Sequence, residues 1–260
     1  MNLLKHRELI LQFTKREIAS RYRGSKLGIL WSIINPLIML TIYTFVFSEI
    51  FKSRWSEGST NKLEFALLVF SGLIIFNIFA DLMTKSPGVI VGNPNYVKKV
   101  IFPLEIFPLV LMNSALFHAT ISFVILQLGL YFIMGIIHWT ALFLPLVLLP
   151  FILLCLGISW IMASLGVYLR DIGHFITLVV QGLMLLSPIF YPISSIPEHF
   201  LFIYELNPIT LIVENVRKIM IWGQYPDGIA LIKLFIVAIA FYLVGKYFFN
   251  KTKGGFADVI

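Results

Sequence analysis

The ionisable side chains of this sequence are too scattered to predict a catalytic or metal site. The five histidines show no spacing typical of metal ligands. They are His6, His118, His138, His174 and His199. The sequence contains no GxxxxGK[ST] phosphate loop, so we do not expect the chain to bind a nucleotide by that route. No nucleophile and base pair can be assembled either, and we predict no catalytic residue, no metal and no cofactor in this chain.

A proton-coupled transporter would need acids or histidines near the centre of a bilayer. Glu49 and Asp81 lie near the ends of apolar runs, and Lys85 follows Asp81 by one helical turn as a partner. Glu105 lies where another run begins. His118 alone lies well inside a run, where a histidine is more often a hydrogen-bonded structural residue. A proton-coupled carrier, which would work without an ATPase subunit, remains an alternative.

The stretch SPGVIVGNPNYVKKVIFPLEIFPL contains the strongest turn chemistry in the sequence. Gly92 and the Asn-Pro-Asn that follows it favour a tight turn. A short amphipathic piece comes next, and Pro103 suits the first turn of a new helix. The pattern predicts a compact knob that exposes Tyr96 and the two lysines Lys98 and Lys99. A simple basic connector is an equal alternative.

The elements that must carry these residues are membrane helices. Of the 260 residues, 59% are hydrophobic and only 13% are charged, whereas about a quarter are charged in a soluble domain. The mean hydropathy is +0.92. The single cysteine, Cys155, lies in an apolar run, which excludes a disulfide framework. We expect an all-α membrane protein, built as one transmembrane domain over residues 1–260 and without a cleavable signal peptide.

Six apolar runs are long enough to cross a bilayer, since a helical span needs about 20 residues. The predicted spans are 27–51, 65–84, 103–134, 140–169, 172–190 and 229–249. An even number of spans places both termini on one side. Lys and Arg number 14 on that side and 6 on the other, which predicts cytoplasmic termini. The net charge of +7 is therefore mostly a topology signal, and no nucleic-acid partner is expected.

The N-terminal segment, residues 1–26, is typical of neither a span nor a loop. Four residues between positions 3 and 22 share one helical stripe. They are Leu4, Leu11, Ile18 and Tyr22. Leu9 and Phe13 fall off this stripe. The pattern predicts a helix that lies along the membrane surface with its basic face toward lipid headgroups. A basic tail that only sets the topology is the alternative.

The segment 191–228 on the outer side is also unusual. Glu214, Arg217 and Lys218 make it too polar to span, because each central charge costs roughly 2.5–3.5 kcal/mol on insertion scales. Its second half is nevertheless too apolar for a simple loop. We expect two re-entrant or interfacial helices joined by a proline-containing turn, with Glu214 paired to the two cations. A plain extracellular amphipathic helix is the alternative.

Four motifs in this order resemble the permease subunits of ABC-2 type exporters of polysaccharide, which include O-antigen, teichoic-acid and capsule exporters. The motifs are RYRGSKLGILWSIINPL, NPNYVKKVIFPLEIFP, YLRDIGHF, and SPIFYPISSIPE followed by NPIT. Leu104 departs from the pattern, since many relatives have arginine there. The resemblance implies the membrane subunit of an ATP-driven exporter of lipid-linked polysaccharide in the bacterial inner membrane. A small-molecule or drug efflux permease of the same superfamily is the alternative.

The resemblance also implies partners and site residues. It implies a homodimer bound to two copies of a cytoplasmic subunit that holds ATP and magnesium, with contacts to membrane lipids. Segment 86–102 becomes the coupling loop, segment 1–26 an interface helix, and segment 191–228 an outer gate. The implied coupling residues are Asn93, Pro94, Asn95, Tyr96, Lys98 and Lys99, and those of the interface helix are Arg16, Arg21, Tyr22 and Arg23.

A path for a sugar polymer favours aromatic side chains, because their rings are apolar in body and are polar at the tip in tyrosine. The sequence has 24 Phe, 10 Tyr and 5 Trp, and most should face lipid or the membrane interfaces. The residues predicted to line the path are Tyr43, Phe47, Phe190 and Tyr191. Asn35-Pro36 is predicted to kink the first span, since proline removes a helical hydrogen bond.

Overall fold

The computed structural model describes residues 6–46, 62–98 and 102–260, and all regular structure in these ranges is helical. The α-helices are α1 (Arg7–Arg21), α2 (Trp31–Phe45), α3 (Lys62–Lys85), α4 (Pro94–Lys98), α5 (Ile106–Gly129), α6 (Leu144–Tyr168), α7 (Ile172–Leu185), α8 (Leu201–Leu206), α9 (Pro208–Met220), α10 (Gly228–Thr252) and α11 (Phe256–Val259). Two predicted site residues, Phe47 and Lys99, lie outside the described residues.

Five helical segments of the described chain are long and apolar enough to cross a membrane, as the all-α membrane class requires. They are Gly28–Phe45, Leu63–Gly88, Ile106–Met134, Trp139–Tyr168 and Gly228–Val259. The predicted span 172–190 contains α7, which ends at Leu185 after 14 residues. That helix is about 21 Å long, shorter than the roughly 30 Å hydrocarbon core. A sixth crossing therefore stays a prediction.

Helix α3 is the axis of the bundle. In the most apolar stretch of α3, 78% of the residues are buried. The helix packs against α2, α5, α7 and α9. Most of its side chains are apolar and buried, the pattern of a helix surrounded by other helices. Leu68, Ile75 and Met83 have no exposed surface. The orientation of α3 therefore determines which side chains of its neighbours meet.

Helices α6 and α10 form the most extensive helix pair of the described residues, and two glycines allow it. A Cβ added at Gly157 would clash with the backbone of Phe241. A Cβ added at Gly245 would clash in turn with the backbone of Gly157. Small residues let membrane helices approach until their backbones touch. This close packing matters because the hydrophobic effect does not drive helices together within lipid, so van der Waals contact must hold the pair.

One end of the bundle gathers the segment 86–98, the start of α5, the end of α6 and the C-terminal residues 252–260; we call this end the base. The hydroxyl of Tyr168 donates a hydrogen bond to the carbonyl of Thr252 at 2.8 Å. Lys253 forms an ion pair with Glu105, and α11 contacts α4. The base is thus a packed platform in which the C-terminus supports the predicted coupling loop.

Helix α1 packs against α5 beside the base, through residues other than the predicted apolar stripe. Leu11, placed on the apolar stripe, is 57% exposed, whereas Phe13, placed off it, packs against Tyr96 and Phe102. Leu4 lies outside the described residues. Thr14 is the buried residue of this helix, and the contact of the apolar stripe with a membrane surface stays a prediction. The face is therefore set by tertiary contacts rather than by hydrophobicity alone.

The segment 191–228 contains two helices, α8 and α9, joined at Asn207-Pro208. The Asn207 side chain accepts a hydrogen bond from the amide of Ile209 at 2.9 Å and caps α9. The predicted pair of helices with a proline-containing turn is therefore present. Helix α9 packs against α3 and α6, with most of its residues buried. Its re-entry into the membrane stays a prediction.

Candidate functional site: a coupling loop and a polar groove

The predicted coupling loop is a tight turn followed by a single helical turn. The Gly92 amide donates to the carbonyl of Gly88 at 2.8 Å, and the Asn93 side chain donates to the carbonyl of Val89 at 2.9 Å. Pro94 begins α4, where its missing N–H costs no hydrogen bond. The predicted turn chemistry is confirmed, and the loop backbone is held by its own hydrogen bonds.

Tyr96 does not project freely from this loop. Its ring lies 5.3 Å from that of Phe13 and 4.7 Å from that of Phe102, centroid to centroid. Arg16 on α1 donates to the Tyr96 hydroxyl at 3.0 Å, and its guanidinium lies 4.5 Å from the Phe13 ring centre. Tyr96 is therefore partly buried, whereas the sequence predicted an exposed ring. Its ring connects α4 to α1, because it packs against Phe13 of α1.

The outward surface of the loop is formed by other predicted residues. Pro94, Asn95 and Lys98 are exposed, while Asn93 is partly buried and accepts a hydrogen bond from Arg16 at 3.4 Å. The loop thus has two faces: an inner face that contacts α1 and an outer face that is available to a partner. The sequence identified the residue types but not this division.

A four-residue ion cluster connects α1 to the end of α3. Asp81 lies 3.2 Å from Arg21 and 3.3 Å from Lys85, and Lys85 also contacts Glu17 at 3.2 Å. The predicted pairing of Asp81 with Lys85 is confirmed. Two cations and two anions leave the cluster with no net charge. Of the predicted interface-helix residues, Arg21 belongs to this cluster and Arg16 contacts Tyr96 and Asn93, whereas Arg23 is exposed.

Tyr22 connects the end of α1 to α5. Its hydroxyl lies 3.3 Å from Nδ1 of His118. Burial raises the pKa of Tyr22 above its usual value, and the nearby charges of Arg21 and Asp81 act in opposite directions on it. The phenol therefore stays protonated at physiological pH and can act as a hydrogen-bond donor.

A cavity of about 430 Å³ opens between α2, α3 and α5 next to the ion cluster. We call it the polar groove, because its wall mixes apolar residues with amide, hydroxyl and imidazole groups. The polar side chains that line it are Arg21, Tyr22, Trp31, Ser32, Asn35, Tyr43, Asn77, Asp81, Thr84, His118 and Ser122. Along α3 the lining extends from Thr84 to Phe70, about 21 Å at 1.5 Å per residue.

The predicted path residues fall into two groups. Tyr43 lines the polar groove, and its ring lies 5.8 Å from that of Phe190. Tyr191 instead contacts the outer helices: its hydroxyl donates to the carbonyl of Leu185 at 2.6 Å and lies 2.9 Å from that of Tyr204. Phe190 and Tyr191 do not line the groove. A role in a path remains a prediction for both of them.

Arg217 on α9 is fully buried and holds the outer region against α3. Its guanidinium donates to the carbonyls of Leu68, Pro188 and Ile189 at 2.8–3.3 Å. It also pairs with Glu214 at 2.7 Å, as the i+3 spacing predicted. A Cβ at Gly72 would lie 3.2 Å from Nη2, so the glycine leaves room for the guanidinium. The contacts with the carbonyls could not be predicted, since Leu68 is 149 residues away.

The asparagines of the groove were also missed as site residues. Asn77 is exposed although its neighbours Phe76 and Ile78 are 3% and 2% exposed. Asn35 is exposed as well. A lone amide in an otherwise apolar span was the signal available in the sequence, because such residues are rare there and usually functional.

The family described as ABC-2 type transporter matches residues 8–221 of the chain. The O-antigen export system permease protein RfbA of Klebsiella pneumoniae is 28% identical over 255 residues, which cover 97% of this chain and 95% of that protein. The protein of the same name from Myxococcus xanthus is 25% identical over 99% of this chain and 97% of its own length. The polysialic acid transport protein KpsM of Escherichia coli is 27% identical over 88% of both chains.

Proposed function

The chain belongs to the ABC-2 type transporter family, and from that membership we propose that it is the membrane subunit of an ATP-driven exporter of lipid-linked polysaccharide. The observation that carries the proposal is the match to an O-antigen export permease over 97% of this chain and 95% of the relative. The similarity thus extends over nearly the whole length of both sequences. The substrate is proposed to be a polymer of the O-antigen kind.

The proposed assembly is a homodimer with two copies of a cytoplasmic ATP-binding subunit. The family implies partnership with such a subunit. The exposed Pro94, Asn95 and Lys98 give the base an outward face on which such a subunit could dock. In this arrangement both termini and the base are cytoplasmic, as the distribution of Lys and Arg predicts. The protein is proposed to lie in the bacterial inner membrane.

The contacts at the base suggest how ATP could move the membrane helices. Closure of the ATP-binding subunits would press on α4, and the Tyr96 ring would carry the displacement to α1 mainly through its contact with Phe13, with the hydrogen bond from Arg16 as a minor contribution. From α1 the ion pairs of Arg21 and Glu17 lead to the end of α3, beside the polar groove. Nucleotide can shift the conformation only if these contacts differ in energy between two arrangements of the permease. In this proposal, these contacts form a continuous connection from α4 through α1 to the end of α3.

Deletion of the gene tests the proposal in cells. We expect the deletion strain to lose surface polysaccharide and to accumulate lipid-linked polymer inside, because synthesis continues while export stops. A plasmid copy of the wild-type gene should restore the surface polymer. Immunoblotting of whole cells and of fractionated membranes measures both pools. Unchanged surface polymer in the deletion strain would contradict the proposal, and a selective gain in drug sensitivity would favour the efflux alternative.

A further inference from the structure

The polar groove contains two amide side chains with no hydrogen-bond partner among the described residues. Asn77 lies eight residues from the end of α3 at Lys85, about 12 Å into the bundle by helical rise. Asn35 faces it from α2, and both side chains line the same cavity. Among the residues that the structure describes, neither amide side chain takes part in a hydrogen bond. Each asparagine therefore presents two donors and an acceptor to the groove.

Lipid cannot satisfy these groups. An unsatisfied polar group in hydrocarbon costs several kcal/mol, so polar side chains in spans face protein or a water-filled cavity. The volume of about 430 Å³ lies within the range of ligand pockets, roughly 300–1,000 Å³. The groove is thus large enough to hold water or a polar ligand beside the asparagines.

The charge of the groove restricts the ligand. Its only charged lining residues among those described, Arg21 and Asp81, pair with each other at 3.2 Å. A phosphate or an acidic sugar would find no unpaired cation there, and a cation would find no unpaired carboxylate. Amide, hydroxyl and phenol groups instead match the alternating donors and acceptors of sugar hydroxyls. Trp31, Tyr43 and Phe70 add ring surface for the C–H face of a pyranose.

We infer that the polar groove is a binding subsite for uncharged, hydroxyl-bearing sugar residues, with Asn35 and Asn77 as its hydrogen-bonding residues. The inference rests on the proposed function and adds to it a place and a substrate class. A site made of neutral groups holds each sugar weakly, because single hydrogen bonds exchange with water at small net gain. Weak binding suits a polymer that must move on through the protein.

Thiol labelling in membranes that contain the whole exporter tests the subsite. Asn77→Cys places a thiol in the groove, while the native Cys155 is fully buried and should stay unlabelled. Ile236→Cys is the matched control, since Ile236 is 65% exposed on the span Gly228–Val259 and should face lipid. A charged methanethiosulfonate should label the first variant and not the second. Membranes from cells that make the polymer should label several-fold more slowly than membranes from cells lacking the initiating glycosyltransferase.

Three results of the labelling experiment would overturn the subsite. They are failure of Asn77→Cys to react, equal labelling rates with and without polymer, and a disulfide between two copies through that thiol, which would make the asparagine a contact between subunits. In the export assay, Asn77→Leu and Asn35→Leu should each slow export about fivefold, the loss expected for one hydrogen bond. If these variants export at the wild-type rate while the gene deletion abolishes export, the subsite is wrong and the proposed function stands. If the deletion has no effect, the proposed function itself fails.

Discussion

Replacing Arg217 with alanine is expected to lower the free energy of unfolding by about 3–5 kcal/mol, the range for breaking a buried ion pair from one side. The Arg217 side chain has no exposed surface, and its guanidinium binds Glu214 and three backbone carbonyls from two other segments. Its removal takes the donor away from the carbonyls of Pro188 and Ile189, which Arg217 contacts in the interior of the bundle. Unfolding of the purified protein by titration with SDS measures the loss.

Two further variants separate the shape of the guanidinium from its charge. Arg217→Lys keeps the positive charge but loses the planar guanidinium that binds several acceptors at once. Its free energy of unfolding should therefore lie between those of the wild type and Arg217→Ala. Lys218→Ala is the matched control, because Lys218 is the adjacent cation and is partly exposed. Its effect should stay within about 1 kcal/mol. Equal stability of Arg217→Ala and Lys218→Ala would contradict the role assigned to Arg217.

Replacing Tyr96 with alanine is expected to reduce polymer export at least about tenfold, since loss of a central aromatic residue at an interface costs about 2 kcal/mol. The ring supports α4 from inside, against Phe13 and Phe102, and its hydroxyl binds Arg16. Without it, α4 can move under load without moving α1. Surface polymer and co-purification of the ATP-binding subunit are the two measurements.

Tyr96→Phe is the matched control for this prediction. It keeps the ring contacts and loses only the hydrogen bond from Arg16, which is partly exposed to water and contributes little. Export by Tyr96→Phe should therefore remain near that of the wild type. If Tyr96→Ala retained both export and the bound ATP-binding subunit, the assignment of the loop as the coupling element would be wrong.

Local sequence patterns predicted the helices of this fold better than their ends. The long apolar runs led directly to α3, α5, α6 and α10, because an uninterrupted run of about 20 apolar residues allows few other structures in lipid. Helix α7 ends earlier than predicted. Ser187-Pro188 accounts for this, since a residue before proline is disfavoured in the helical conformation, and the proline itself cannot continue the hydrogen-bond ladder. That signal was present in the sequence.

The candidate site was predictable in parts that depend on short-range chemistry. Three features follow from residues that lie within one or two helical turns of each other. They are the turn at Asn93-Pro94, the pair of Asp81 with Lys85, and the pair of Glu214 with Arg217. Contacts between distant segments did not follow from the pattern. Arg16 meets Tyr96 across 80 residues. Such contacts depend on how the helices pack, and the spacing of residues along the chain does not determine that packing.

Transport by the purified protein in lipid vesicles is the most direct test of the central claim that this chain exports polysaccharide with an ATP-binding partner. Vesicles containing the chain, its ATP-binding subunit and lipid-linked polymer should move polymer across the membrane when ATP and magnesium are added on the side of the base. Vesicles with the chain alone should move none, with or without a proton gradient. Transport by the chain alone, or transport driven by the proton gradient in the absence of ATP, would contradict the account.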